Sequence, residues 1–152
     1  MRSRERQLSA QLARSAGEEY LFVMDEKNRK EASYIRSLSS EDAATFLIEQ
    51  YGHGWPTTMA HRSWRKADQI RLARVFIQGR VHGNDRGYKD FLSFMSIDAF
   101  LKVVEEGLPK VAPDQIDLLS YYLAPSLRNV AKTSNQIARV ESFLEHLSEL
   151  QS

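Results

Sequence analysis

"SWRKADQIRLARVFIQGR", residues 63–80, is the stretch of sequence on which the choice of fold depends. At about 100° per residue, its apolar side chains point almost all round a helix axis and leave only Arg71, Arg74 and Gln78 as a narrow polar stripe. A helix that is apolar on most sides is surrounded by other helices. We therefore expect a central helix here, with Ser63 as its N-cap and one basic face.

The segments on either side carry the start signals of further helices. Residues 39–52, "SSEDAATFLIEQYG", open with Ser39 as an N-cap candidate and place Asp42 at the capping-box position. Residues 95–109, "MSIDAFLKVVEEGLP", repeat this pattern with Ser96 as the cap. Both segments then place apolar residues at helical spacing, which predicts two amphipathic helices.

Glycine and proline positions predict where the remaining helices begin and end. Gly107 is expected to stop its helix, and Pro113 fits the first position of the next one. Pro125 is expected to break or kink that helix. A last helix is predicted to start near Ser134. Tyr20–Met24 is interpreted as part of a helix, because no second strand is available to pair with it.

These signals predict a single compact all-α bundle of about six to seven helices over residues 1–152, with 1–16 as an N-terminal arm or docking helix. Stacked helical pairs are an alternative architecture. Residues 67–77 and 113–123 share Asp-Gln-Ile, a following leucine and an aromatic-aliphatic pair. Their offset of 46 residues (113 − 67) falls within the roughly 40–47 residues of HEAT and armadillo repeats.

Composition places the chain among soluble globular proteins. The hydrophobic fraction is 42% and the charged fraction is 27%. No apolar run approaches the roughly 20 residues of a membrane-spanning helix, so no membrane partner is expected. Cysteine is absent, which excludes disulfides, thiolate nucleophiles and cysteine-based zinc sites. A reducing cytoplasm is the simplest location for such a chain.

Charge is distributed unevenly, although the formal net charge is only +1. The segment 61–89 holds eight Lys or Arg residues against two acids (8 − 2 = +6), whereas 90–123 holds two lysines against six acids (2 − 6 = −4). Such an arrangement either pairs internally or presents a polarised surface to a partner. The arginines of the central helix therefore meet a partner or pair with Glu105, Glu106 or Asp117.

Residues 51–66, "YGHGWPTTMAHRSWRK", look most like an active site, because they hold two histidines and two tryptophans. His53 and His61 lack the i, i+4 spacing of helical metal ligands, and His82 can join them only through tertiary folding. Neither a Gly-x-Ser-x-Gly elbow nor a phosphate-binding glycine loop is present. We therefore expect no catalytic, metal-binding or cofactor-binding residue. Metal-independent RNA cleavage by these histidines is a less favoured alternative.

The same residues are better interpreted as connectors. Trp55 and Trp64 are expected to pack over the adjoining core, and residues 79–90, "GRVHGNDRGYKD", are expected to form a polar link after the central helix. A loop tryptophan can equally anchor a partner, because Trp, Tyr and Arg dominate the hot spots of interfaces.

The sequence thus favours a non-enzymatic protein-binding domain, of the kind used as toxin-neutralising immunity proteins, antitoxins or adaptors. It indicates neither the partner's identity nor whether the chain forms a homo-oligomer. The residues expected to contact a protein partner are polar or aromatic and lie in or beside the basic segment: Trp55, Arg62, Arg65, Lys66, Arg71, Arg74, Gln78, Arg80, Arg86 and Tyr88.

A nucleic-acid-binding regulator is the alternative function. The basic residues of segment 62–89 would then contact phosphates, and the affinity would fall steeply with salt. Against this, the sequence pI of about 8.0 lies below the values above 9 that are typical of basic binding domains. The region before Ser63 is also too long for the turn of a helix-turn-helix.

Overall fold

The computed structural model describes residues 14–51, 59–60, 62–78 and 81–151, with side chains from residue 26 onward. Within these ranges the chain forms seven α-helices and no strand, which confirms the predicted all-α bundle. The helices are α1 (Arg14–Ser37), α2 (Ser40–Tyr51), α3 (Lys66–Ile77), α4 (Arg86–Phe94), α5 (Ile97–Gly107), α6 (Ile116–Val130) and α7 (Ser134–Leu150). Between α5 and α6 lie the 3-10 turns Leu108–Lys110 and Pro113–Gln115.

Helix α3 packs mainly against α2 and α5, and the helix with the most helix neighbours is α5, which contacts α3, α4 and α7. Helix α6 packs on α7 and α4. The predicted cover of α3 on most sides is incomplete, because Ala67 is exposed and Val75 is only half-buried. Leu72, Ala73, Phe76 and Ile77 are buried, and Ile70 is half-buried against the same core. These side chains join a hydrophobic core that extends through all the contacting helices.

The two similar segments, 67–77 and 113–123, do not occupy equivalent positions. The first lies within α3, whereas the second begins in the 3-10 turn Pro113–Gln115 and continues into α6. Their main packing partners also differ, because α3 contacts α2 and α5 while α6 contacts α4 and α7. These environments favour shared helix-start chemistry over a structural repeat as the origin of the similarity.

Two predicted helix caps, Ser39 and Ser96, are confirmed. The Oγ of Ser39 accepts the backbone N–H of Asp42 at 3.0 Å, and the Oγ of Ser96 accepts that of Ala99 at 3.1 Å. Helix α7 begins after Thr133 with a complete capping box. In each case a side-chain oxygen satisfies a donor that the first helical turn leaves without a backbone partner.

The predicted helix boundaries differ from the structure at three points. Ser63 is not a cap, because the chain is not helical there and α3 starts only at Lys66. Helix α5 ends at Gly107, as predicted, but the backbone of this glycine is right-handed (φ −86°) and leads directly into a 3-10 turn. Pro125 does not break α6, which continues to its last turn. The proline is exposed, so the carbonyl deprived of its hydrogen bond can be solvated.

The N-terminal helix agrees with its sequence interpretation where it is described. Tyr20–Met24 lie within α1. Of the predicted arm, residues 14–16 form the start of this helix, and residues 1–13 lie outside the described residues. No helix in the described part of the chain has both the length and the apolar character needed to cross a membrane.

Helix α4 is an element that the sequence analysis missed. Residues 79–90 were expected to form a polar link, but a helix starts at Arg86 and buries Tyr88, Phe91 and Leu92 against the core. Gly87 permits this packing, because a Cβ atom there would lie 2.3 Å from Cζ of Phe76. The Phe76 ring is held from other sides by the rings of His82 and Phe91, so it has little room to move.

We expect Gly87→Ala to lower the free energy of unfolding by roughly 1–3 kcal/mol, the usual cost of an overpacked core. Chemical denaturation measures this change. Gly83→Ala is the matched control, because a Cβ atom at Gly83 meets nothing within 4 Å, and its effect should stay within about 0.5 kcal/mol. Equal stability of the two variants would contradict the tight contact between α4 and Phe76.

A hydrogen bond from the Tyr51 hydroxyl to Glu31 joins the end of α2 to α1. Burial, followed by this bond and the charge of Glu31, raises the pKa of Tyr51 from 10.0 to about 12. The folded protein therefore holds this phenolic proton at pH values where the unfolded chain releases it.

The raised pKa predicts a loss of stability at alkaline pH. The contribution of Tyr51 is fully present below about pH 10 and decreases as the pH rises toward 12, because only the unfolded form ionises in that window. Tyr51→Phe should show a shallower decline in unfolding midpoint across this window than the wild type. Tyr121→Phe, at a side chain that is 71% exposed, should decline like the wild type.

Candidate functional site

Arg62 points into the protein and fastens the end of α1. Its Nη1 donates to the carbonyl oxygens of Ile35 and Leu38 at 2.7 and 2.9 Å, and its Nε donates to that of Ser63 at 2.8 Å. Its guanidinium also lies 4.7 Å from the ring centroid of Trp64. A cation at the C-terminus of a helix satisfies free carbonyls and complements the dipole. Arg62 thus holds the fold together and uses several of its hydrogen-bond donors within the protein.

Trp64 anchors the chain that enters α3. Its ring is buried, as predicted, and its Nε1 donates to the carbonyl oxygen of Met59 at 2.8 Å. Gln69 donates to the carbonyl oxygens of Trp64 and Phe94 at 3.0 and 3.1 Å, which links α3 to the end of α4. This anchoring accounts for the non-helical chain at residues 63–65, because the indole must reach the core before the helix begins.

Asp68 forms a buried polar contact between the first turns of α2 and α3. Its side chain is buried, and its Oδ2 accepts the hydroxyl of Ser40 at 2.5 Å. The Ser40 Oγ accepts the backbone N–H of Arg65 at 3.0 Å, and the Arg65 Nε lies 3.6 Å from Asp68. A carboxylate at the N-terminus of a helix is also stabilised by the helix dipole.

Removing the Asp68 carboxylate should destabilise the fold. Asp68→Ala leaves the buried Ser40 hydroxyl without its acceptor, so we expect a loss of about 1–3 kcal/mol in the free energy of unfolding. Asp114→Ala, at an exposed residue in the first turn of its own short helix, is the control and should change stability by less than about 0.5 kcal/mol. Similar effects of the two substitutions would show that the Ser40–Asp68 contact contributes nothing to stability.

The arginines of α3 are paired across the helix interfaces. Arg71 donates to the hydroxyl of Thr45 at 2.7 Å on α2. Arg74 forms two hydrogen bonds with Glu106 of α5, at 3.1 and 3.2 Å, which confirms one of the pairings predicted from the charge pattern. The hydrogen bonds from Arg74 lower the pKa of Glu106. The basic face of α3 is therefore partly neutralised within the fold.

Tyr88, predicted to contact a partner, lies in the core instead. Its side chain has no exposed surface, and its hydroxyl accepts the backbone N–H of His82 at 3.3 Å. Burial raises the pKa of this phenol. The His82 ring stacks on Phe76 at 3.8 Å and its Nε2 lies 2.8 Å from the Phe76 carbonyl oxygen. Tyr88 lies on the same apolar face of α4 as Phe91 and Leu92, so the helix turns its ring into the core.

The remaining predicted contacts divide into exposed and undescribed residues. Arg65, Lys66, Gln78 and Arg86 are exposed. Trp55 and Arg80 lie outside the described residues, as do His53 and His61. Among the described residues no three His, Asp or Glu side chains are grouped as metal ligands.

A surface groove runs between α3 and α5 and brings some of these residues together. One cavity of about 180 Å³ and a neighbouring one of about 240 Å³ share Arg74, Val103 and Glu106, so the Arg74–Glu106 ion pair separates them. We call the whole feature the α3–α5 groove. The groove is lined by apolar and charged side chains from α3, α5 and the turn after α5: Lys66, Ile70, Arg74, Ile77, Asp98, Ala99, Lys102, Val103, Glu106 and Lys110.

The lining of the α3–α5 groove is mixed, with apolar side chains beneath charged ones. Ile77 and Val103 are buried beneath it, and Ile70 is half-buried. Lys66 and Lys110 lie at opposite ends and form no ion pair within the described ranges of the chain. Four cations and two acids line the groove, which gives it a net charge of +2 (4 − 2) among the described side chains.

Asp98 is held in a surface network at one end of the groove. Its carboxylate lies 3.0 Å from Arg139 on α7 and 3.1 Å from Lys102, and Arg139 also pairs with Glu105 at 3.0 Å. The hydrogen bond from Arg139, followed by that from Lys102, lowers the pKa of Asp98. The acids of α5 thus have partners inside the protein.

Sequence reasoning missed the α5 side of the groove. Lys102 and Lys110 were counted as minor charges within an acidic segment, although Asp98 and Lys102 have the i, i+4 spacing of a helical ion pair. This spacing is the sequence signal for the α5 side of the groove, because it predicts that Lys102 and Asp98 lie on the same exposed face of the helix.

Comparison with known proteins adds no functional assignment. The chain matches no protein-family model, no curated protein and no solved structure. The geometry and charge of the α3–α5 groove are therefore the basis for proposing a function.

Proposed function

We propose that this chain is a non-enzymatic protein-binding domain and that the α3–α5 groove is its contact surface. The observation that carries the proposal is the position of Lys66 and Lys110, two exposed cations that form no ion pair in the described structure, at the two ends of a groove that also exposes apolar surface. An apolar centre with a polar rim is the usual anatomy of a protein–protein contact. Arginine beside such a centre is a frequent hot-spot residue.

The mixture of charges in the groove favours a protein over a nucleic acid. Asp98 and Glu106 would lie beside any phosphate backbone that entered it, and like charges oppose binding. The basic segment is also dispersed by the fold, because Arg62 turns inward and Arg71 pairs with Thr45. A nucleic-acid-binding regulator remains the competing hypothesis, and its distinguishing property is a steep loss of affinity with salt.

The finer assignments are part of the same proposal. The cysteine-free, single-bundle character of the chain supports a role in the cytoplasm as a neutraliser of a toxic protein or as an adaptor. Both roles require only a complementary surface, so the partner is expected to be a protein bound in stoichiometric amount.

Affinity capture with charge-reversed variants tests the contact surface. We expect one protein to be retained stoichiometrically by the wild type and lost by Lys66→Glu/Lys110→Glu, because the reversal places two acids at the ends of the groove. Lys30→Glu/Lys132→Glu is the matched control, since it changes the net charge equally at exposed lysines outside the groove. Circular dichroism verifies that all variants stay folded.

Two results would contradict the proposal. One is retention of the same partner by both double variants, which would place the contact elsewhere on the protein. The other is the capture of nucleic acid alone, released by moderate salt, which would favour the regulator hypothesis.

A further inference from the structure

We infer that the occupant of the α3–α5 groove is an acidic protein segment whose central carboxylate replaces Glu106 as the partner of Arg74. This inference rests on the proposed function, because it assumes that the groove is the contact surface. It goes further by naming the chemistry of the partner and the contact that must open when it binds.

Any ligand that occupies the full length of the α3–α5 groove has to pass the Arg74–Glu106 pair. It lies on the boundary of the two cavities, and both side chains belong to the lining of each. A segment that extends from Lys66 to Lys110 must therefore cross this pair. Helix α3 has 12 residues, so such a segment spans roughly 18 Å, about the length of a three-turn helix.

The pair can open at little cost because it is exposed. Side-chain exposure is 57% for Arg74 and 53% for Glu106, and ion pairs in contact with water contribute little to stability. The Arg74 guanidinium binds Glu106 through two parallel hydrogen bonds, and a carboxylate from a partner offers the same two acceptors. Exchange therefore conserves the hydrogen bonds of Arg74.

The rest of the groove selects an acidic segment. Lys66 and Lys110 attract carboxylates at both ends, and the net charge of +2 increases by one when Glu106 moves away from the occupied site. Ile70 and Ala99, both half-buried, offer apolar contact between the charged side chains. A partner with acidic residues near its ends and centre, separated by small apolar residues, satisfies each of these positions.

The surface also contains a control pair for this inference. Arg128 and Glu141 form a two-bond pair at 3.0 and 3.2 Å between α6 and α7, with side-chain exposures of 59% and 51%. Its geometry and exposure closely match those of Arg74 and Glu106, but it does not line the groove. Substitution in either pair changes the net charge of the protein by the same amount.

The test is fluorescence anisotropy with a labelled peptide of about a dozen residues, carrying glutamates at both ends and in the centre with leucine and alanine between them. Arg74→Gln should weaken binding by about tenfold or more, because a charge-assisted double hydrogen bond is lost. Glu106→Gln should strengthen binding by about threefold to tenfold, because the competing carboxylate is removed. Arg128→Gln and Glu141→Gln should each stay within about twofold of the wild type.

Each other outcome overturns the inference. Equal effects of Glu106→Gln and Glu141→Gln would show a response to net charge alone. Binding of a lysine-substituted peptide, or of single-stranded RNA in preference to the acidic peptide, would assign the groove to a different ligand class. Absence of peptide binding would exclude an acidic segment as the occupant.

The two proposals fail in different ways. If the captured partner is lost in Lys66→Glu/Lys110→Glu but is held equally by the wild type, Arg74→Gln and Glu106→Gln, the groove is the contact surface and the exchange is wrong. If the partner is retained by all variants, the proposed function itself is contradicted.

Discussion

The fold depends on a short polar junction between α1, α2 and α3. In this junction Asp68 accepts the hydroxyl of Ser40, and Arg62 holds the last carbonyls of α1. Buried polar groups of this kind destabilise a protein unless each finds a partner, so they allow few alternative arrangements of the helices. The apolar core supplies most of the driving force for folding, while this junction specifies how the first three helices meet.

The helical architecture was largely predictable from the sequence because its signals are local. Ser39 and Ser96 cap helices within one turn of themselves, and the apolar residues that α3 buries recur at helical spacing. The boundaries failed where distant contacts decide the backbone. The burial of Trp64 keeps the chain non-helical past Ser63. Helix α4 was missed although Tyr88, Phe91, Leu92 and Met95 have the i, i+3, i+4, i+7 spacing of an amphipathic helix, because the glycines and charged residues around them favoured a loop.

The candidate site was predictable only in part, for the same reason. Charge counting offered Glu105, Glu106 and Asp117 as alternatives to a partner for the arginines of α3, and the structure pairs Arg74 with Glu106. The same counting could not separate arginines that serve the fold from those at the surface. Arg62 and Arg74 look alike in the sequence, yet one binds carbonyls at the end of α1 while the other lies at the edge of a groove. Tertiary contacts determine the difference.

The burial of Trp64 also provides an optical reporter within the junction. Its indole lies in the core, donates to the carbonyl oxygen of Met59 and is covered on one face by the Arg62 guanidinium. Water entering this region would shift its emission to longer wavelength, so fluorescence can follow the separation of α1 from α3 directly. With Trp55 replaced, the chain would carry a single intrinsic fluorophore of this type, at the point where three helices meet.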